Sequence, residues 1–340
     1  MMDSKQSGQS RIFSGWRIFS PSTLLRVSPQ VGLLLVNIVL WVIFGLVSGG
    51  FLSSFNLFTL GRDIALFTAI GLAQMIAISM GEMNLSVGAI GGVAAIFAGW
   101  LMQVLGVPIL PAAILAVLLG AGMGWFNGWL VVRTNINSFI VTLAMASVYT
   151  GLLLIISKAQ AFSNLPLGFI NFGQASIGFF SLIIFLVLVM VVLLIVLYRN
   201  SELGRWMLAV GANRRAAQFS GIPVGRTLQI GHALSGLLAG LAGVLFAARL
   251  ASALPSIGVD WVLPSFLAPV LGGTVLSGGV VSVVGTLLGG MLVESITNGL
   301  NLLQVNNFWV LFFQGIILLL AVLLDRLRAV VAQRKGGSKR

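Results

Sequence analysis

The sequence predicts an all-α, polytopic membrane fold. Three observations carry that expectation: 58% of the 340 residues are hydrophobic, only 8% are charged, and the apolar residues gather in long uninterrupted runs. A soluble domain carries roughly 25% charged residues, and a chain this large with so few could not cover its own surface. These figures exclude a soluble enzyme and a disordered chain, and the absence of cysteine excludes a disulfide-stapled scaffold. The net charge of +12 does not point to nucleic acid, because the basic residues sit in short stretches between apolar runs and at the two ends. It reads as membrane orientation.

A helix needs about 20 apolar residues to cross a hydrocarbon core of roughly 30 Å. Ten runs meet that need, near residues 31–50, 64–80, 86–105, 109–132, 138–157, 178–198, 228–248, 262–280, 281–300 and 308–324. The first, sixth and last are plain; those at 86–105 and 262–300 are rich in Gly and Ser, as broken helices are. The transmembrane domain thus spans 31–325, between an N-terminal segment (1–30) and a basic tail (326–340). With ten alternating spans and the N-terminus inside, the inner face holds Lys5, Arg11, Arg17, Arg26, Arg133, Arg199, Arg205, Arg214, Arg215, Arg226 and six more basic residues after 325. The outer face keeps only Arg62, Lys158 and Arg249. Sixteen against three predicts both termini in the cytoplasm. The stretch before residue 31 lacks the form of a cleaved signal, since a full-length span follows it.

Residues 199–226, RNSELGRWMLAVGANRRAAQFSGIPVGR, form the only long polar interruption. Pro223 and several glycines break it, and Trp206, Met207, Leu208 and Ala209 supply a short apolar patch. The pattern predicts a short amphipathic helix on the cytoplasmic surface. It serves either as a basic anchor on anionic headgroups or as a docking surface for a partner.

Several chemistries are excluded. None of the four lysines (Lys5, Lys158, Lys335, Lys339) follows a glycine, so a GxxxxGK[ST] phosphate loop is impossible. Without cysteine and with one histidine, the usual nitrogen–sulfur zinc site is excluded, and no metal site is expected. No carboxylate pair has a spacing suited to acid–base catalysis, so no catalytic residue is expected. His232, at the inner end of the seventh span, reads as a hydrogen-bonded group between helices.

Acidic residues within spans are costly and tend to be functional. Glu294 lies well inside the ninth span, and Glu82 at the edge of another. Gly290, Glu294, Thr297, Asn298 and Asn301 recur at spacings of three and four, which places them on one helix face. That face either lines a polar substrate path or hydrogen-bonds neighbouring helices. One intramembrane Glu makes a thin relay for a proton- or sodium-coupled carrier.

Two Gly-rich segments remain, GEMNLSVGAIGG at 81–92 and GGTVLSGGVVSVVGTLLGG at 272–290. Both contain L-S-x-G, and such clusters permit helix breaks that expose backbone groups near the bilayer midplane. Gly81-Glu82-Met83-Asn84-Leu85-Ser86-Val87-Gly88 resembles the GGIDLSVG signature of the ribose/xylose/arabinose/galactose-type permeases of ABC importers, in the superfamily that includes branched-chain amino-acid permeases. Co-linear matches follow at Asn127-Gly128, Ser138-Phe139-Ile140-Val141-Thr142-Leu143, Gly204-Arg205, Ala209-Val210-Gly211-Ala212-Asn213, Ala216-Ala217, Ser220-Gly221-Ile222, Leu271-Gly272-Gly273-Thr274, Ser277-Gly278-Gly279 and Gly285-Thr286. The resemblance covers about residues 50–325. Two positions depart from the pattern: Glu82 stands where the family has its second Gly, and Asn84 where it has Asp. Asn84 either meets substrate as an uncharged acceptor or caps the third span.

The resemblance implies a channel-forming subunit of the bacterial inner membrane, paired with a second copy or a sister permease. It would receive substrate from an extracytoplasmic binding protein and be driven by a cytoplasmic ATP-binding subunit, which would hold the ATP and its magnesium. The expected coupling loop, 199–226, then includes Gly204, Arg205, Gly211, Asn213, Ala216, Ala217 and Gly221. Gln74, Glu82, Asn84, Ser86, Thr142, Glu294, Asn298 and Asn301 are the expected substrate-path residues, alongside membrane lipid on the outer surface. Uncharged polar groups in an apolar lining suit a monosaccharide or related polyol. The same machine carrying a branched-chain amino acid, a nucleoside or an autoinducer-like furanose is the alternative, and a self-contained secondary carrier is a further one.

Overall fold

The computed structural model describes residues 29–178, 180–306, 308–320 and 323; the expected N-terminal segment through residue 28 and the basic tail lie outside them. The described residues are almost wholly helical. Among the described residues, seven helices are long and apolar enough to cross a membrane: α1 (Pro29–Val47), α2 (Ser54–Ser79), α4 (Ile109–Thr134), α5 (Ser138–Ser157), α7 (Leu182–Asn200), α10 (Val224–Leu250) and α12 (Val283–Leu302). Three shorter apolar helices accompany them: α3 (Val87–Gln103), α11 (Val262–Leu271) and α13 (Phe308–Leu320). The remaining helices are α6 (Leu167–Gln174), α8 (Glu202–Ala212) and α9 (Arg214–Phe219), and a two-stranded hairpin pairs Ser176–Ile177 with Phe180–Ser181.

Local chemistry sets most ends. The Ser53 hydroxyl accepts from the Asn56 N–H at the start of α2, and Asn137 accepts from the Phe139 N–H at the start of α5. Asn135 and Lys158 close α4 and α5 in the left-handed region. Ser201 ends α7 and caps α8 through the Gly204 N–H, so the chain turns out of the bundle with no loop between them.

The core is built around α10, which packs on α2, α3 and α4. Where α4 crosses it, Gly124 and Gly236 face each other so closely that a Cβ on either would strike the other helix's backbone. Small residues that let backbones meet are the usual device for helix packing in lipid. The outward faces of α1 and α7 are the reverse, rich in exposed Leu, Val and Ile, as acyl chains require.

Two expectations about the spans need correction. The expected eighth span, 262–280, is helical only to Leu271, about 15 Å at the helical rise. Pro269 removes a donor from within α11, Gly273 takes φ +89°, and residues 274–282 form a turn. Hydropathy does not distinguish an apolar helix from an apolar Gly-rich turn. The expected second span, 64–80, begins ten residues early, at Ser54. Its first turns hold Asn56, Arg62 and Asp63, which look like loop residues but find partners at Asn298, Gln174 and Arg249. The surface segment forms two helices, α8 and α9, where one was expected.

Candidate functional site

Between α2 and α3 the chain breaks over residues 80–86, with Gly81 at φ +72°. Gln74, Asn84, Ser86 and Thr142 converge here, all fully buried or nearly so. The Gln74 amide, oriented to satisfy both its ends, donates to the Asn84 carbonyl at 2.8 Å and accepts from the Asn84 N–H at 3.2 Å. The Asn84 side chain donates to Ser235 Oγ on α10 at 2.9 Å, and its oxygen accepts from Ser86 Oγ at 2.7 Å. Asn127 on α4 donates to Ser86 Oγ at 2.7 Å, and Tyr149 on α5 donates to Asn127 Oδ1 at 2.9 Å. Ser138 Oγ and Thr142 Oγ1 accept the backbone N–H groups of Met83 and Leu85 that the break frees, each at 3.0 Å. Four helices, α2, α4, α5 and α10, thereby hold one irregular segment, and its freed backbone groups are repaired by side chains, as membrane interiors demand.

Below this network His232 is fully buried, and neither of its nitrogens has a hydrogen-bond partner. The hydrogen-bonded group between helices expected at this position is therefore not what the structure shows. One helical turn separates His232 from Ser235 on α10.

Glu82 leaves the network and forms an ion pair with Arg214 of α9. Both line a cavity of about 920 Å³ together with Asn135, Asn137, Ser138, Gln218 and Arg226. A second cavity, about 450 Å³, is lined by Phe67, Phe246, Trp261, Glu294, Thr297, Asn301 and Gln314, among others. Leu228 lines the first and Leu250 the second. They stand 22 residues apart on α10, about 33 Å at 1.5 Å per residue, so the cavities open at opposite ends.

The expected polar face of α12 therefore divides. Glu294, Thr297 and Asn301 line the second cavity, whereas Asn298 exchanges two hydrogen bonds with Asn56 (2.9 and 3.0 Å) and Gly290 packs against Thr68.

The expected coupling-loop residues divide as well. Arg205, Asn213, Ala216 and Gly221 are exposed, and Asn213 also caps α9 by accepting from the Ala216 N–H at 3.0 Å. Gly204, Gly211 and Ala217 face inward. A Cβ at Gly211 would collide with the Ser79 carbonyl and the Gly279 N–H, which are themselves hydrogen-bonded at 3.0 Å. Gly278, at φ +89°, lies against both Gly81 and Gly211. The two Gly-rich segments thus meet in space at Gly81 and Gly278, and the C-terminal end of α8 rests on the junction. Phe219, which sequence reasoning missed, is 91% exposed at the end of α9, beside Arg215. A lone aromatic in the polar run Arg214–Gly221 was the available signal.

Residues 53–322 match the family described as branched-chain amino acid transport system / permease component. The chain belongs to that family. It is 38% identical to the ribose import permease protein RbsC of Bacillus subtilis over 91% of this chain and 95% of that protein. It is 33% identical to the D-allose transport system permease protein AlsC of Escherichia coli (88% and 92% covered), and 35% identical to the L-arabinose ABC transporter permease protein AraH of Azospirillum brasilense (87% of each). No solved structure matches the chain. It is a transport component and a multi-pass membrane protein.

Proposed function

We propose that this chain is the permease subunit of an ATP-driven importer and forms the path for a monosaccharide delivered by an extracytoplasmic binding protein. The observation that carries the reading is the glycine junction: α8 touches both breaks through Gly211, Gly81 and Gly278, and Gly81 lines the first cavity. A push on the exposed residues of α8 and α9 would have to move the two irregular segments, because backbone meets backbone with no side chain between to yield. That is what alternating access asks of a drive element.

The exposed Phe219, on a segment that also exposes Arg205 and Arg215, suits a cytoplasmic ATPase subunit as partner, an apolar anchor on a basic surface. ATP and magnesium then belong to that partner. The chain works as a dimer, of two copies or with a second permease, in the bacterial inner membrane, with both termini and the 199–226 segment on the cytoplasmic side and lipid around the outward faces of α1 and α7. The sugar permeases named among its relatives favour a monosaccharide as cargo.

The test is uptake of labelled ribose, allose, arabinose and xylose by proteoliposomes holding the assembled complex with its binding protein. Uptake of at least one sugar that requires ATP on the cytoplasmic face supports the reading. Uptake of none, or uptake indifferent to ATP, overturns it.

A further inference from the structure

Among the described residues, Glu294 and His232 are buried titratable groups that the bundle leaves without a partner, and of the two only Glu294 borders a cavity. It is 5% exposed, and among the described residues it takes part in no ion pair or side-chain hydrogen bond. The nearby Arg249 is occupied by Asp63. Leaving a buried carboxyl without a partner is costly, and an ionisable group deep in a membrane bundle that the protein leaves unsatisfied marks a place where something else satisfies it. Glu294 borders the 450 Å³ cavity, a volume within the roughly 300–1,000 Å³ of small-molecule sites.

The rest of the lining defines the guest. Phe246 and Trp261 lie with ring centroids 4.8 Å apart, and Phe67 meets Phe246 edge-on at 5.9 Å. Trp261, Phe246 and Phe67 offer an apolar surface, and Asn301, with Thr297 and Gln314 bonded to each other at 3.3 Å, adds uncharged polar atoms. No Lys or Arg lies among the described residues lining the cavity, whereas Asp260 joins Glu294 there. A free amino acid would bring a carboxylate with no cation to receive it, and a sugar phosphate would be repelled. A neutral sugar fits both surfaces, its hydroxyls donating to the Glu294 carboxyl and its C–H face against the rings.

We infer that this cavity is a monosaccharide-recognition site belonging to the permease itself, with Glu294 as the hydroxyl acceptor and Trp261 as part of the apolar platform. The inference rests on the importer reading and adds that the permease selects its cargo as well as passing it.

The test uses the assembled complex in proteoliposomes and compares wild type with Glu294→Leu, Glu294→Gln and Trp261→Leu. Glu294→Leu should accumulate in the membrane and unfold at the same temperature as wild type or higher, because it removes a group that has no partner. Its ATP-driven sugar uptake should fall about tenfold, the scale of a lost buried hydrogen bond. Glu294→Gln should retain more uptake than Leu and should blur the discrimination between the transported sugar and one of its monodeoxy analogues. Trp261→Leu should slow uptake of every sugar without changing that discrimination. Wild-type uptake together with unchanged uptake in Glu294→Leu would overturn the site and leave the importer reading standing. A Glu294→Leu chain that fails to accumulate would also overturn it, since Glu294 would then be holding the fold. Wild-type complex that carries none of the sugars removes both.

Discussion

The break at 80–86 and the cavity beside Glu294 are both polar places inside an apolar bundle, and they are opposites. At the break, Gln74, Asn84, Ser86, Asn127, Ser138, Thr142 and Tyr149 bond to one another or to freed backbone groups. At the cavity, Glu294 faces open space with no partner among the described residues, and the side chains around it stay partly uncommitted. A closed network specifies one arrangement of the chain. An open one specifies a guest. Polar residues in a membrane span thus answer two different questions, and only their partners tell which.

The largest effect is expected at the junction that joins the break to α8. Gly211→Val places a branched side chain against the Ser79 carbonyl and the Gly279 N–H, with backbone on both sides. Overpacking of this kind costs about 1–3 kcal/mol or more. Thermal unfolding should shift down, and any protein recovered should hydrolyse ATP in the complex without moving sugar.

Within the closed network, Asn127→Leu should cost about 1–3 kcal/mol, because the Tyr149 and Ser86 hydroxyls lose a partner while still buried. Adding Tyr149→Phe should then cost less than it does in wild type, since without Asn127 the Tyr149 hydroxyl keeps only its bond to the Met123 carbonyl at 2.9 Å. Equal and additive losses in a double-mutant cycle would show that the network is not closed. The opposite sign expected for Glu294→Leu, stability kept and transport lost, is the sharpest contrast between the two regions.

A smaller effect is expected at Glu82→Gln. Its partner Arg214 is half exposed, and ion pairs with one member in water are worth at most about 1 kcal/mol. Unfolding temperature should barely change, and denaturation of the assembled complex compared with wild type checks this.

Much of the architecture was legible from composition because lipid leaves a chain few ways to satisfy its backbone. The spans at 109–132 and 138–157 needed almost no revision. The errors have a common cause. Asn56, Arg62 and Asp63 disguised the start of α2, since a sequence does not show that distant Asn298, Gln174 and Arg249 will receive them. The apolar run to residue 280 disguised a turn, because its glycines are as hydrophobic on average as a weak helix. The same limit applied to the site. Gln74, Asn84, Ser86 and Thr142 were readable as a group, but not that they would bond to one another. Tyr149 and Ser235 were visible as isolated polar residues in apolar runs, yet nothing local joined them to Asn127 and Asn84. Trp261 lies 33 residues from Glu294, and only folding brings them to one cavity.

The account turns on whether α8 and α9 are where the chain is driven, and one measurement addresses that directly. The tagged chain is purified in mild detergent from its native host, wild type beside Arg205→Glu, a change at an exposed residue that leaves the glycine junction untouched. The account predicts an ATPase subunit bound to wild type, with ATP-dependent sugar uptake after reconstitution, and loss of both in Arg205→Glu at an undiminished level in the membrane. A partnerless wild-type oligomer that moves sugar without ATP would contradict it.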